Sequence, residues 1–191
     1  CIKCKGCYWV EHTYMPGVQF STRCPSNVWN DFDSYGAFGK MRIGLKVNEG
    51  KLEWTDKLLE IIYADPLCGA CDVGCKRNLD LEIGLTLEAL RVKAVQDGAG
   101  PLPAHKKIAE NIAGKNNQFG SPHENRKKWI TKDIKVEEKA DVVYFAGCSA
   151  SYANTAISQA TAKIFNATGT KFMVMKDEKC CGNTIYSVGM W

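Results

Sequence analysis

An α+β protein, a mostly helical cysteine-rich domain followed by a parallel α/β half domain, is the class that this sequence predicts. Three observations carry the prediction. Seven of the ten cysteines fall within residues 1–75, an apolar stripe at helical spacing follows them, and the sequence closes on an apolar strand, a helical stripe and a second apolar strand.

The bulk composition sets the frame. With 191 residues and 45% hydrophobic content the chain holds one ordinary domain or two small ones around a packed core. No apolar run is long enough for a bilayer span and no secretory signal opens the sequence, so any membrane contact is expected through a partner. A net charge of +4, with no basic cluster interleaved with aromatics beyond Arg126-Lys127-Lys128-Trp129, argues against nucleic-acid binding, and that run reads as a solvated helix face. Ten cysteines without a secretion signal point to metal binding in the reducing cytoplasm rather than to a disulfide framework. The sequence opens at Cys1 without a methionine and stops at Trp191 just after a cysteine motif, so both ends are expected to continue.

The elements follow in order. Residues 1–48, rich in Gly, Pro and aromatics, read as a loop region. Trp54, Leu58, Leu59, Ile61 and Ile62 mark a helix over Glu53–Ile62 that stops before Asp65-Pro66. Leu79, Ile83, Leu87, Leu90 and Ala94 form one helical stripe ending before Gly98. Residues 99–139 turn to Pro, Asn, Gly and charge, a linker with short helices near Ala104–Ala113 and Glu124–Ile130. Val142–Ala146 suits a strand buried on both faces; Ile157, Ala160, Ile164 and Phe165 mark a helix, and Lys171–Met175 a second strand. Strand, helix, strand implies a parallel βαβ unit. The predicted domains are thus 1–98, a linker over 99–139, and 140–191.

Cysteine spacing carries the chemistry. Cys1, Cys4 and Cys7 make a C-x2-C-x2-C run, which returns three soft thiolates to one iron–sulfide cube; Cys24-Pro25 matches the fourth cysteine, the one that ligates the other cluster in two-cluster ferredoxins. Cys68, Cys71 and Cys75 repeat the last three positions of that motif, and Asp65 stands at the first. By the exchange rule one [4Fe–4S] cluster takes Cys1, Cys4, Cys7 and Cys75, and a second takes Cys24, Cys68 and Cys71. For its fourth ligand three readings stay open: Asp65 supplies oxygen, the cluster is a [3Fe–4S] form, or Asp65 merely caps or solvates the loop. Zinc is the competing metal for C-x2-C pairs, though the triple run with Cys-Pro is more specific to iron–sulfur.

A third set lies on the βαβ unit. Cys148 follows the first strand and Cys180-Cys181-Gly182 follows the second, so the carboxyl edge of a parallel sheet brings three cysteines together, with Gly147 and Gly182 permitting close backbone approach.

On these residues the chain resembles the iron–sulfur oxidoreductases of the heterodisulfide reductase D type, which join a two-cluster ferredoxin domain to cysteine-rich CCG domains. Within that group it is most similar to the electron-transfer subunits that accompany tungsten-class benzoyl-CoA reductase. The resemblance implies that the ferredoxin clusters relay electrons and that Cys148, Cys180 and Cys181 hold a further cluster, which in heterodisulfide reductases is noncubane and cleaves a disulfide. Two departures matter: Asp65 replaces a usual cysteine, and the family pattern continues past CCG to a further C-x2-C and often a second CCG domain.

The expected function is therefore an electron-transfer subunit of a multi-subunit oxidoreductase, passing single electrons to or from a flavin, iron–sulfur or metal subunit. The alternatives are a thiol/disulfide reductase working at Cys148, Cys180 and Cys181, and a zinc-bound interaction module. Lys3, Lys5, Arg23 and Lys76 lie near the ligands and would tune sulfur or face an acidic partner, with surface solubility the simpler reading for each. Tyr8, Trp9, Phe20 and Trp29 are expected to shield clusters from water; His12 reads as a loop histidine, and His105 and His123 receive no role.

Overall fold

The computed structural model describes residues 1–10, 15–17, 19, 21–76 and 79–191. The chain divides into two compact units, Cys1–Leu102 together with Tyr186–Trp191, and Pro103–Ile185. The α+β class is borne out: helices predominate, and a two-stranded parallel sheet lies in the second unit.

The first unit contains α1 (Pro25–Asn30), α2 (Ala37–Asn48), α3 (Asp56–Tyr63), α4 (Ala70–Cys75) and α5 (Ile83–Gln96), with a 3-10 turn at Asp33–Tyr35. The loop reading of residues 1–48 needs correction, because α2 alone occupies twelve of them. Its glycines lower intrinsic helicity and hide it from a propensity reading, but they serve packing. A Cβ on Gly39 would collide with the Asp33 carbonyl oxygen, and one on Gly44 would sit 3.6 Å from Leu90 of α5. Helix α3 begins later than Glu53 because the Thr55 hydroxyl caps it, accepting from the Leu58 N–H at 3.2 Å. Helix α5 buries Ile83, Leu87, Leu90 and Ala94 as the stripe predicts, while Leu79 stays in the turn before it.

Two apolar clusters fill this unit. One joins Cys7, Ala37, Phe38, Cys75, Ile83 and Leu87; the other joins Val47, Leu58, Leu59, Ile62, Leu90 and Ala94. Between α2 and the loop before α4 runs a buried ion pair: Lys40, fully buried, donates to Asp65 Oδ2 and to Ser26 Oγ, each at 2.7 Å. Arg91 of α5 is also buried and donates to the carbonyls of Ile62 (3.0 Å), Asp65 (2.5 Å) and Ser187 (2.8 Å). These bonds to three carbonyls pin the end of α3, the Asp65 loop and the C-terminal segment to one helix.

The second unit contains α6 (Pro103–Lys115), a 3-10 turn at His123–Lys127, β1 (Val142–Tyr144), a π-helical turn at Ser149–Ala153, α7 (Thr155–Ala167), β2 (Phe172–Val174) and the start of α8 (Asn183–Tyr186). Strands β1 and β2 pair in parallel with Val142 opposite Phe172 and Tyr144 opposite Val174, giving the expected βαβ unit. Trp129, Ile134, Ala162 and Phe172 form its core, with Tyr144 and Phe165 edge-on to one another above it.

Three expectations fail here. Val142 and Val143 are exposed, so β1 is not buried on both faces. Helix α7 packs through small residues, Ser158 and Ala162, which let it sit close, and leaves Ile157 and Ile164 outside. Arg126 and Trp129 are 3% and 2% exposed rather than part of a solvated face. The 3-10 turn and the tight turn after it, closed by the Ile130 N–H on the Lys127 carbonyl at 3.0 Å, explain the last case, since winding at three residues per turn carries side chains 126 and 129 to one side while Lys127 and Lys128 stay in water. Among the described residues no helix is long and apolar enough to cross a membrane.

Removing one partner of the Lys40–Asp65 pair strands a buried charge. Lys40→Met or Asp65→Leu alone is expected to destabilise the protein by about 3–5 kcal/mol, and the double substitution to recover a good part of that loss, measured by urea unfolding.

Candidate metal centres

None of the ten cysteines is in a disulfide. The loop Cys1–Cys7 turns sharply through Lys3 and Lys5, both in the left-handed backbone region (φ 62° and 61°), which brings successive cysteines round to one side. Cys75 is the last residue of α4 and reaches that loop because Gly74 precedes it. A Cβ there would meet the Gly6 carbonyl oxygen at 2.7 Å and the Arg23 guanidinium at 2.9 Å. The result is a small cavity lined by Cys1, Cys4, Cys7 and Cys75, walled by Phe38, Met41, Leu81 and Ile83. This is the four-cysteine combination that the ferredoxin exchange rule selects.

The local chemistry suits a cluster. Burial, followed by the neighbouring Cys4 and Cys75, pushes the Cys7 thiol up, although backbone N–H groups pull the other way. A cationic group at the centre would offset that penalty. The Leu81 N–H lies 3.4 Å from Cys75 Sγ, the sort of sulfur hydrogen bond that tunes a cluster. Four soft sulfurs set around a cavity suit a group of several irons better than one zinc ion, which needs its sulfurs about 2.3 Å from a single centre. Among the described residues no three His, Cys, Asp or Glu side chains close on such a single-ion point.

The basic residues nearby are mostly committed. Arg23 donates to the carbonyls of Gly6 (3.0 Å) and Trp9 (2.6 Å), Lys5 pairs with Asp33 at 2.7 Å, and Lys76 with Asp80 at 3.0 Å. Tyr8 stacks on Phe38 at 5.6 Å and fits the shielding role, whereas Trp29 is 89% exposed and Trp9 41%. In the six-residue α1 Ser26 is the buried residue, and Trp29 near its end stays in solvent. His12 and Phe20 lie outside the described residues.

At the second set Cys24 is buried at the start of α1, its sulfur 3.5 Å from Ser26 Oγ. Cys71 is half-buried, and its thiol is pushed up to about 12 by burial and then by the charges of Asp72 and Asp65. Cys68 is exposed and precedes Gly69, whose left-handed conformation starts α4. Asp65 therefore sits within electrostatic reach of Cys71 and is joined to Cys24 through Lys40 and Ser26. Both of its carboxylate oxygens have protein partners: Oδ2 takes Lys40, and Oδ1 accepts the Leu67 N–H at 2.8 Å.

In the second unit the chain leaves β1, bends at Gly147 (φ 75°) and presents Cys148 at the head of the π-helical turn. Cys148 and Cys180 are neighbours, and the Cys180 thiol is raised by burial, then by Cys148 and Cys181. Cys181 is exposed. Two residues without a motif of their own complete this site. Arg126 donates to Cys148 Sγ at 3.4 Å and to Glu178 Oε1 at 2.6 Å, and Glu178 also accepts the N–H groups of Ala146 and Gly147, each at 3.0 Å. Burial works against the guanidinium, but the contacts with Cys148 and Glu178 outweigh it and hold Arg126 above its ordinary pKa. The one signal in the sequence was Glu178 two residues before Cys180; Arg126, far upstream, had none.

Residues 142–190, the segment with all three of these cysteines, match the family model of the CCG cysteine-rich domain. Over 99% of its length the chain is 30% identical to the D subunit of dihydromethanophenazine:CoB–CoM heterodisulfide reductase of Methanosarcina mazei and 29% identical to that of Methanosarcina barkeri. It is also 27% identical, over 68% of its length, to the B subunit of fumarate reductase (CoM/CoB) of Methanothermobacter marburgensis, covering 26% of that protein. No solved structure matches. The chain spans 46% of the length of the two heterodisulfide reductase relatives, so its likeness along its own length is to a part of the heterodisulfide reductase D subunit, with the CCG cysteine-rich domain matched at residues 142–190.

Proposed function

We propose that this chain is an iron–sulfur electron-transfer subunit of a multi-subunit oxidoreductase. The observation that carries the reading is the cavity lined by Cys1, Cys4, Cys7 and Cys75, which pairs sulfurs from the two ends of a ferredoxin-type motif. Bound [4Fe–4S] clusters supply the one-electron chemistry. The chain's own residues do the rest: Phe38 and Ile83 exclude water, the Leu81 N–H polarises the Cys75 sulfur, and Gly74 lets the two ligand loops meet.

The second cluster is assigned to Cys24, Cys68 and Cys71. Of the readings for its fourth position, a three-cysteine site of the [3Fe–4S] kind is favoured over oxygen ligation, because the Asp65 carboxylate is already engaged at both oxygens, by Lys40 in a buried ion pair and by the Leu67 N–H. A further iron–sulfur group is assigned to Cys148, Cys180 and Cys181, with any remaining ligands elsewhere in the protein. Partners are redox subunits bearing a flavin, iron–sulfur or metal centre, a reading supported by relatives that are themselves named as subunits of reductases. The narrower likeness to subunits that accompany tungsten-class benzoyl-CoA reductase belongs to this proposal and rests on the sequence motifs, as does a cytoplasmic location with membrane association through a partner.

Anaerobic purification is expected to give a brown protein whose iron and sulfide match its clusters and whose paramagnetic signals titrate in separate steps. A colourless, zinc-loaded protein overturns the reading in favour of an interaction module. Cys7→Ser should remove one cubane signal and its iron while the second ferredoxin-type signal persists.

The exposure of Cys181 beside the Cys148–Cys180 pair favours a second reading, disulfide reduction at that site. With the intact protein and an artificial electron donor, that reading predicts turnover of a disulfide that Cys181→Ala abolishes while both ferredoxin-type signals are retained. A pure relay shows no such turnover.

A further inference from the structure

Arg126 and Glu178 are a buried ion pair placed against a candidate ligand sulfur, and most of their bonds serve that sulfur. We infer that Arg126 sets the reduction potential of the iron–sulfur group at Cys148 and Cys180, with Glu178 as the positioning residue. The inference rests on the proposed reading that these cysteines hold such a group.

The geometry divides the labour. One guanidinium nitrogen, Nη1, is held by Glu178 at 2.6 Å; the other, Nη2, donates to Cys148 Sγ at 3.4 Å and to the Asn116 carbonyl at 2.9 Å. Tyr152 covers the guanidinium with its ring, the centroid 5.2 Å away. Glu178 meanwhile accepts the N–H groups of Ala146 and Gly147, the two residues that lead into Cys148. One carboxylate thus fixes both the backbone that delivers the sulfur and the cation that touches it.

The pair is neutral overall, but its near field at Cys148 is positive because Arg126 alone contacts the sulfur. Both side chains are deeply buried, so water screens that field little. When the group accepts one electron from a low-potential donor, no bond is made or broken and negative charge accumulates on its sulfurs. A cation that donates to one of them favours the reduced form and raises the potential. Lysine would not substitute fully, since three acceptors in fixed directions require the planar fork. A purely structural pair has no need to aim a donor at sulfur, and buried charges retained for packing alone are replaceable by apolar residues at little cost.

The test is a potentiometric titration of the intact, anaerobically reconstituted protein followed by paramagnetic resonance, with the ferredoxin-type signals as internal reference. Arg126→Gln is expected to shift the equilibrium of the group at Cys148 about tenfold toward the oxidised form, which is about 59 mV for one electron. Glu178→Gln is expected to shift it in the opposite direction, and Arg126→Lys to fall between wild type and Arg126→Gln; the ferredoxin-type signals should not move. Unchanged potentials in variants that retain wild-type iron overturn the inference, as do shifts of the same sign in Arg126→Gln and Glu178→Gln. Should Arg126→Gln fail to assemble the site, Arg126→Lys decides by the same criterion. If the wild type itself lacks an iron–sulfur signal beyond the ferredoxin-type ones, the reading of the site falls and this inference with it, an outcome visible before any variant is made.

Discussion

Sulfur is part of the hydrophobic core of the first unit. Cys7 and Cys75 are buried in one cluster with Phe38, Ile83 and Leu87, so the apolar packing that stabilises the helices is the same packing that gathers thiols. Burial holds the Cys7 thiol up, with the neighbouring Cys4 and Cys75 adding to it, and holds the Cys71 thiol up with help from Asp72 and Asp65. The proposed cationic cluster would resolve that conflict, and much of the unit is arranged around the cavity where it would sit. Gly74 gives up a side chain so that α4 can reach the first loop, Arg23 ties that loop through its carbonyls, and α5 supplies Ile83 as a wall.

Each unit also places one buried ion pair near its cysteines. Lys40–Asp65 joins α2 to the loop before Cys68 and touches the Cys24 sulfur through Ser26; Arg126–Glu178 touches Cys148 directly. Burying charge is costly, and an isolated pair rarely stabilises more than apolar residues of the same shape would. In both places the pair orders a cysteine-bearing loop and fixes a charge close to sulfur, a specificity device rather than a source of stability. The difference lies in reach. Lys40 acts on its cysteine through a hydroxyl, Arg126 without an intermediary.

The Cys-rich motifs were legible because ligand spacing is a local property: three thiolates on two short turns can only return to one centre, and the exchange rule then named Cys75 as their partner. The βαβ unit was legible for a similar reason, since its strands are short apolar runs on either side of a helical stripe. Helix α2 was not, because Gly39 and Gly44 read as breakers until the Asp33 carbonyl is seen pressed against Gly39 and Leu90 facing Gly44. Burial was misread in the second unit, where Ser158 and Ala162 face the core while Ile157 and Ile164 do not, because close approach there rewards small side chains over apolar ones.

By itself the sequence determined that Cys1, Cys4, Cys7 and Cys75 belong around one cavity, the α+β class and the parallel connection, all of which follow from spacing along the chain. Tertiary structure alone decided what stands beside the sulfurs. Asp65 reads from the sequence as a ligand, a cap or a solvated loop residue; the fold buries it, with Lys40 from another helix on one oxygen and the Leu67 N–H on the other. Arg126 looked like a solvent-facing cation until a 3-10 turn carried it inward to Glu178 and Cys148. Motif spacing encodes where ligands are; the charge around them comes from residues far away in the chain, and only folding brings those within hydrogen-bond distance.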